Sequence, residues 1–151
     1  MRIAAARRKT SLPREPVTGK RRIISEAPDR APLVLIVDDV RDIRELYAEY
    51  FIHSGLRVAL AVDGDHALWK VVLLKPDVVV IDLAMPVMDG AQAIEQIKTR
   101  PKTKHIPVVA LTGHVSPENL VRARDAGADV VLMKPCTPED LLAVVQRLLP
   151  S

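Results

Sequence analysis

Apolar residues in this chain follow two patterns that take turns. Short, nearly unbroken runs suit strands buried on both faces. Between them, apolar residues recur every three or four positions, which suits amphipathic helices packed on a sheet. Leu33-Val34-Leu35-Ile36-Val37 is the first run, and Ile43, Leu46, Tyr47, Tyr50 and Phe51 form the helical stripe behind it, closed by Gly55. Arg57 to Val62 is the second, followed by an Asp63-Gly64 turn and a helix from about Asp65 to Lys75 that Pro76 stops; Trp69 on it packs rather than binds. Val78-Val79-Val80-Ile81 is the third, with a short helix over about 91–99 that turns Ile94 and Ile97 inward. Pro107 to Leu111 is the fourth, before a helix that opens at Ser116-Pro117-Glu118 and ends near Ala126-Gly127. Val130 to Met133 is the fifth, before a helix that opens at Thr137-Pro138-Glu139-Asp140 and ends before Pro150. Five strand–helix units in succession predict an α/β fold: a (βα)5 doubly wound parallel sheet of five strands with helices on both faces.

Composition adds limits. At 151 residues and 48% hydrophobic content the chain is long enough for one domain with a substantial core. One Cys, Cys136, allows no internal disulfide and points to a reducing compartment, so the expected location is cytoplasmic. No apolar run approaches a membrane span, and the basic start lacks the apolar segment of a signal peptide. The formal charge of +3 hides an asymmetry: residues 1–31 hold nine Lys or Arg against three Asp or Glu, whereas residues 32–151 hold thirteen against sixteen. Basicity therefore belongs to the N-terminal stretch, with its Arg7-Arg8-Lys9 and Lys20-Arg21-Arg22 clusters and scattered prolines. The expectation is a flexible basic arm over 1–31, with a folded domain over 32–151.

The chemistry collects at strand ends. The first run ends in Asp38-Asp39, the third in Asp82, the fourth in Thr112 and the fifth in Lys134. In a parallel sheet all these lie along one edge, where open α/β sheets hold their ligands. Each residue alone has a bland role: a helix cap for an acid, a turn for Thr112, a surface cation for Lys134. Together they are complementary. Clustered carboxylates repel one another, and a hard divalent cation with oxygen ligands, Mg²⁺ above all, relieves the conflict. A lysine and a threonine hydroxyl suit a phosphoryl group, and a carboxylate can take one as an acyl phosphate.

These residues resemble the receiver domain of two-component response regulators. The resemblance is carried by the acidic pair, by Asp82 in Asp-x-x-Met-Pro-x-Met-Asp-Gly, by Thr112 thirty residues on, and by Lys134-Pro135 twenty-two beyond that. It covers about residues 33–149. It implies a flavodoxin-like fold with strand order 2-1-3-4-5. It further implies that Asp82 accepts phosphate from a sensor histidine kinase or a histidine phosphotransfer protein. Mg²⁺ would be bound by Asp39, Asp82 and the backbone carbonyl of Ala84, with Asp38 acting mainly through coordinated water. Lys134, typically before a cis proline, would pair with the phosphoryl group. Thr112 would swing toward it and reshape the face of the fourth helix, fifth strand and fifth helix, a face that also permits a homodimer. Such a protein is not an enzyme in the metabolic sense; it catalyses only its own phosphorylation and dephosphorylation.

Two positions depart from the family pattern. Three residues before the lysine, where receivers usually carry Tyr or Phe, stands Val131, and the residue after Pro135 is Cys136. The chemistry is complete, but the usual aromatic output relay is missing. The His residues, 53, 66, 105 and 114, show no ligand spacing; His114, two past Thr112, sits where this family tunes dephosphorylation, and its plainer reading is a solvated loop residue. No DNA-binding, kinase or cyclase segment follows the last helix, so the expectation is a receiver acting alone on an unknown output protein. Two other readings stay open. A phosphorylation-independent adaptor of the same fold is one. The other is a dehalogenase-like phosphohydrolase, which would carry Asp-x-Asp after the first strand where this chain has adjacent acids.

Overall fold

The computed structural model describes residues 23–85, 88–113 and 116–150. The elements run β1 Ile23–Ile24, β2 Leu33–Val37, α1 Arg41–His53, β3 Arg57–Ala61, α2 Gly64–Leu74, β4 Val78–Asp82, α3 Gly90–Thr99, β5 Val108–Thr112, α4 Pro117–Ala126, β6 Val130–Met133 and α5 Pro138–Leu148. They form one six-stranded sheet in the order β1-β3-β2-β4-β5-β6. Its five long strands are parallel and, counted from β2, follow the expected order 2-1-3-4-5. All their carboxyl ends therefore share one edge.

The apolar runs are continuous because each serves two cores. Along β2, Leu33, Leu35 and Val37 face α2, α3 and α4, meeting Leu68, Val71, Ile94, Ile97 and Ala123. Val34 and Ile36 face the other way, toward Tyr47 and Phe51 of α1 and Leu141, Leu142 and Val145 of α5. A strand with no solvent face has no polar alternation to show.

Helix ends follow the sequence signals. Ser116 and Thr137 accept from the third residues of α4 and α5, each with Pro at the first helical position. Gly55 and Gly127 adopt left-handed backbone (φ 91° and 109°) just past α1 and α4. The helix before Pro76 ends at Leu74, and Lys75 itself takes the left-handed conformation (φ 51°).

The expectation of a flexible basic arm over 1–31 is corrected at its end: Ile23–Ile24 pair antiparallel with β3, Ile23 opposite Ala59 and Ile24 opposite Val58. Ile23 packs against the α2-side core. The Arg57 guanidinium donates to the Ala31 carbonyl at 2.8 Å. The cause is the exposed edge of β3: unpaired backbone groups there favour any extended segment that can reach them. Residues 1–22, including both basic clusters, lie outside the described residues. Among the described residues, no helix is long and apolar enough to cross a membrane.

Candidate functional site: an acidic cluster facing one lysine

Asp38 follows β2 directly, and the ladder sets its place: its N–H donates to the Ala61 carbonyl of β3 at 3.2 Å. Its side chain then turns back on the chain, accepting from the Val40 N–H at 2.9 Å, while Arg44 donates to its carbonyl at 2.8 Å. Asp38 is buried and Asp39 exposed, as adjacent residues leaving a strand should be. Asp82 is the last residue of β4 and is buried. One of its carboxylate oxygens accepts from the Ala84 N–H at 3.2 Å. Oxygens of Asp38, Asp39 and Asp82 lie within 4.8 Å of one another.

Lys134 enters from the far side. Its backbone N–H donates to the Thr112 carbonyl at 2.8 Å, which fixes the loop after β6 to the end of β5. Its ammonium lies 3.1 Å from Asp38 and 3.5 Å from Asp82. The Lys134–Pro135 peptide is cis. Thr112 is buried at the end of β5, opposite Met133 in register. Beside it lies a cleft of about 460 Å³ bounded by Leu83, Ala84, Met85, Gly113 and Arg122.

Among the described residues, one ammonium pairs with two of the three clustered carboxylates, which leaves an excess of negative charge when all three acids are ionised. Burial pushes the Asp82 carboxyl above the ordinary range; the Ala84 N–H and Lys134 pull it down, and the Asp38 charge pushes it up again. Burial alone would lower Lys134, but its bond to Asp38 and the charge of Asp82 outweigh burial and raise it. Lys134 thus gains from two acids, while Asp82 has only part of one cation. A divalent cation suits this deficit, and the donor set is all oxygen.

The sequence-derived residues Asp38, Asp39, Asp82 and Lys134 are thus brought together, with Thr112 alongside on the neighbouring strand. Ala84 reaches the site through its N–H. His114 lies outside the described residues. Val131 is partly buried against the α2-side core and pairs with Ala110 on β5, so it lies along the strand as packing.

Other residues of the site carry roles that the sequence pattern leaves unassigned, although Asp89 and Gly90 close the Asp-x-x-Met-Pro-x-Met-Asp-Gly motif. Gly90 opens α3 so close to β4 that an added Cβ would overlap the Asp82 carbonyl and come within 2.7 Å of the Leu83 Cα. Asp89 caps α3 in a reciprocal box with Gln92, at 2.9 and 3.1 Å. Its other oxygen pairs with Arg122 of α4 at 2.7 Å. The Asp-x-x-Gln spacing was a readable signal for the box; nothing local marks Arg122. Tyr47 of α1 donates to the Cys136 carbonyl at 2.7 Å, a partner 89 positions away that no local pattern reveals.

The profile of the response regulator receiver domain family matches residues 34–146. Response regulator MprA of Mycolicibacterium vanbaalenii is 39% identical over 116 residues, 77% of this chain and 49% of that protein. Transcriptional regulatory protein PrrA of Mycobacterium tuberculosis is 37% identical over 119 residues, 79% of this chain and 50% of its own. The chain therefore spans about half the length of the curated relatives it matches. Among solved structures, the chemotaxis response regulator CheY4 of Vibrio cholerae superposes with a TM-score of 0.74 at 35% identity, covering 79% of this chain and 99% of that one. With its five parallel strands in the expected order and its acids and lysine on one edge, the chain belongs to the response regulator receiver domain family.

Proposed function

We propose that this receiver is a phosphorylation-switched signalling module whose phosphoacceptor is Asp82. The observation that carries this reading is the imbalance of charge at the strand edge: three carboxylates within mutual ligand distance and one ammonium bridging two of them. An Asp82 oxygen attacks the phosphorus of a phosphohistidine on a sensor kinase or phosphotransfer protein. The P–N bond breaks, its electron pair stays on the imidazole nitrogen, and an acyl phosphate forms. Lys134 turns from the carboxylates to the new phosphoryl oxygens, and the Thr112 hydroxyl donates to one of them. Asp38, Asp39, Asp82 and the Ala84 carbonyl would hold Mg²⁺, which when bound supplies the positive charge that offsets the crowded oxygens. Water later releases the phosphate and restores the carboxylate, so all the catalysis acts on the protein itself.

The response is read by a partner at the face of α4, β6 and α5, a face that also suits a homodimer. Val131 and the exposed Met133 lie on β6 in that face, and Val131 is too short and too restricted about χ1 to relay a movement from surface to pocket. The cytoplasm is the compartment this reading implies. The test is incubation with acetyl phosphate, with Mg²⁺ or with excess chelator, followed by intact mass. One phosphoryl group gained only with Mg²⁺ supports the proposal. No gain in either case would favour the phosphorylation-independent adaptor.

A further inference from the structure

We propose that Tyr47 is a positioning residue for Lys134, holding the loop that carries the ammonium against the helix that follows the acidic pair. The proposal rests on the phosphoacceptor reading of Asp82 and adds a residue to that site.

Lys134 is a long side chain on a four-residue link, residues 134–137, between β6 and α5. Its ammonium must sit where a phosphoryl group would form, 3.5 Å from Asp82, and the link has few ways to hold it there. At one end the Lys134 N–H is bonded to β5 through Thr112. Pro135 has no N–H to offer. One residue further on, the Cys136 carbonyl accepts the Tyr47 hydroxyl at 2.7 Å. Tyr47 is itself 4% exposed, its ring set among the buried residues of α1 and α5. It sits two turns into the helix that begins just past Asp38-Asp39. One hydrogen bond therefore ties the acid-bearing side of the site to the cation-bearing side. Burial, with the nearby Cys136, Asp38 and Asp82, pushes the phenol up to about 12, so the hydroxyl keeps its proton and remains a donor across the physiological range.

Tyr47→Phe keeps the ring and removes only the donor. Amide NMR titrations would follow Mg²⁺ alone, then beryllofluoride, a mimic of the acyl phosphate, at saturating Mg²⁺. Beryllofluoride affinity should weaken roughly fivefold, the effect of one net hydrogen bond. Mg²⁺ affinity should hold or tighten, because the metal's ligands do not depend on the loop. In a Lys134→Ala background, Tyr47→Phe should have no further effect on beryllofluoride. Equal weakening of both ligands, no weakening of either, or the same loss with and without Lys134 would each overturn the proposal. In the wild-type protein the Tyr47 hydroxyl proton should exchange slowly enough to be observed, and fast exchange would contradict the bond. If the wild type takes no beryllofluoride at all, it is the phosphoacceptor reading that fails.

Discussion

Asp82 and Lys134 are opposed in their effect on stability. The folded-state pKa of Asp82 lies above its unfolded value, so the native state binds its proton more readily than the unfolded chain does. Stability from that source is present below the unfolded pKa and declines as pH rises through the raised one. At neutral pH, Asp82→Asn should therefore raise the metal-free melting temperature. Lys134 is raised as well, so its contribution is fully present below the unfolded value and is lost only as pH rises through the folded one. Lys134→Ala leaves buried carboxylates unpaired and should cost about 2 kcal/mol at neutral pH. Thermal melts in chelator check both signs; stabilisation by Lys134→Ala would show that the ammonium is poorly placed. The acids and the lysine were legible in the sequence because a parallel sheet brings every strand end to one edge, whatever the distance along the chain. Tyr47 was not, because its partner is a backbone carbonyl, and a carbonyl has no sequence signature.

At the scale of elements, β4 and α3 meet in close backbone contact just past Asp82. Gly90 is required there by contact rather than by backbone conformation. Gly90→Ala should cost about 1–3 kcal/mol, since the obstacle is the backbone of Asp82 and Leu83 rather than a side chain that can move aside. It should also slow phosphorylation; wild-type stability would mean that α3 can shift freely. From the same turn, Asp89 reaches α4 through Arg122. Arg122 is exposed and Asp89 half-buried, so the solvent-screened pair is worth less than about 1 kcal/mol, and Arg122→Ala should scarcely lower stability. Its consequence is directional. Burial would raise Asp89, but Arg122 and the capping N–H outweigh burial and lower it, so its stabilisation holds above the unfolded pKa and fades as pH falls through the folded one. Upon beryllofluoride binding, amide shifts should spread from 82–90 to the Arg122 turn of α4, and in Arg122→Ala they should stop short of it. Equal spread in both proteins would exclude the pair as the route. Helix positions and caps were readable from spacing and from Ser, Thr and Pro; a bridge between two helices was not, because any arginine facing that way would look alike.

For the whole molecule, alternating strand and helix patterns were sufficient to predict the parallel sheet, since each unit repeats the same two periods. The edge was not legible. Two residues, Ile23 and Ile24, are too few to show a period, and their strand depends on β3 being there to pair with. Deleting residues 1–31 removes that pairing and the Ala31 acceptor for Arg57. It should cost about 1 kcal/mol or more, a fall of roughly 4 °C in melting temperature for a domain of this size. An unchanged melting temperature would mean that β1 adds nothing to the fold. Function is likewise a property of the assembled edge, since no single strand carries both the acceptor and the cation. The most direct measurement is to treat the wild type and Asp82→Asn with acetyl phosphate and Mg²⁺, trap the acyl phosphate with borohydride, and map the modified residue by peptide mass. One modified residue, Asp82, is expected in the wild type and none in Asp82→Asn; modification of another residue in the wild type, or an undiminished phosphoryl gain in Asp82→Asn, would rule out Asp82 as the phosphoacceptor.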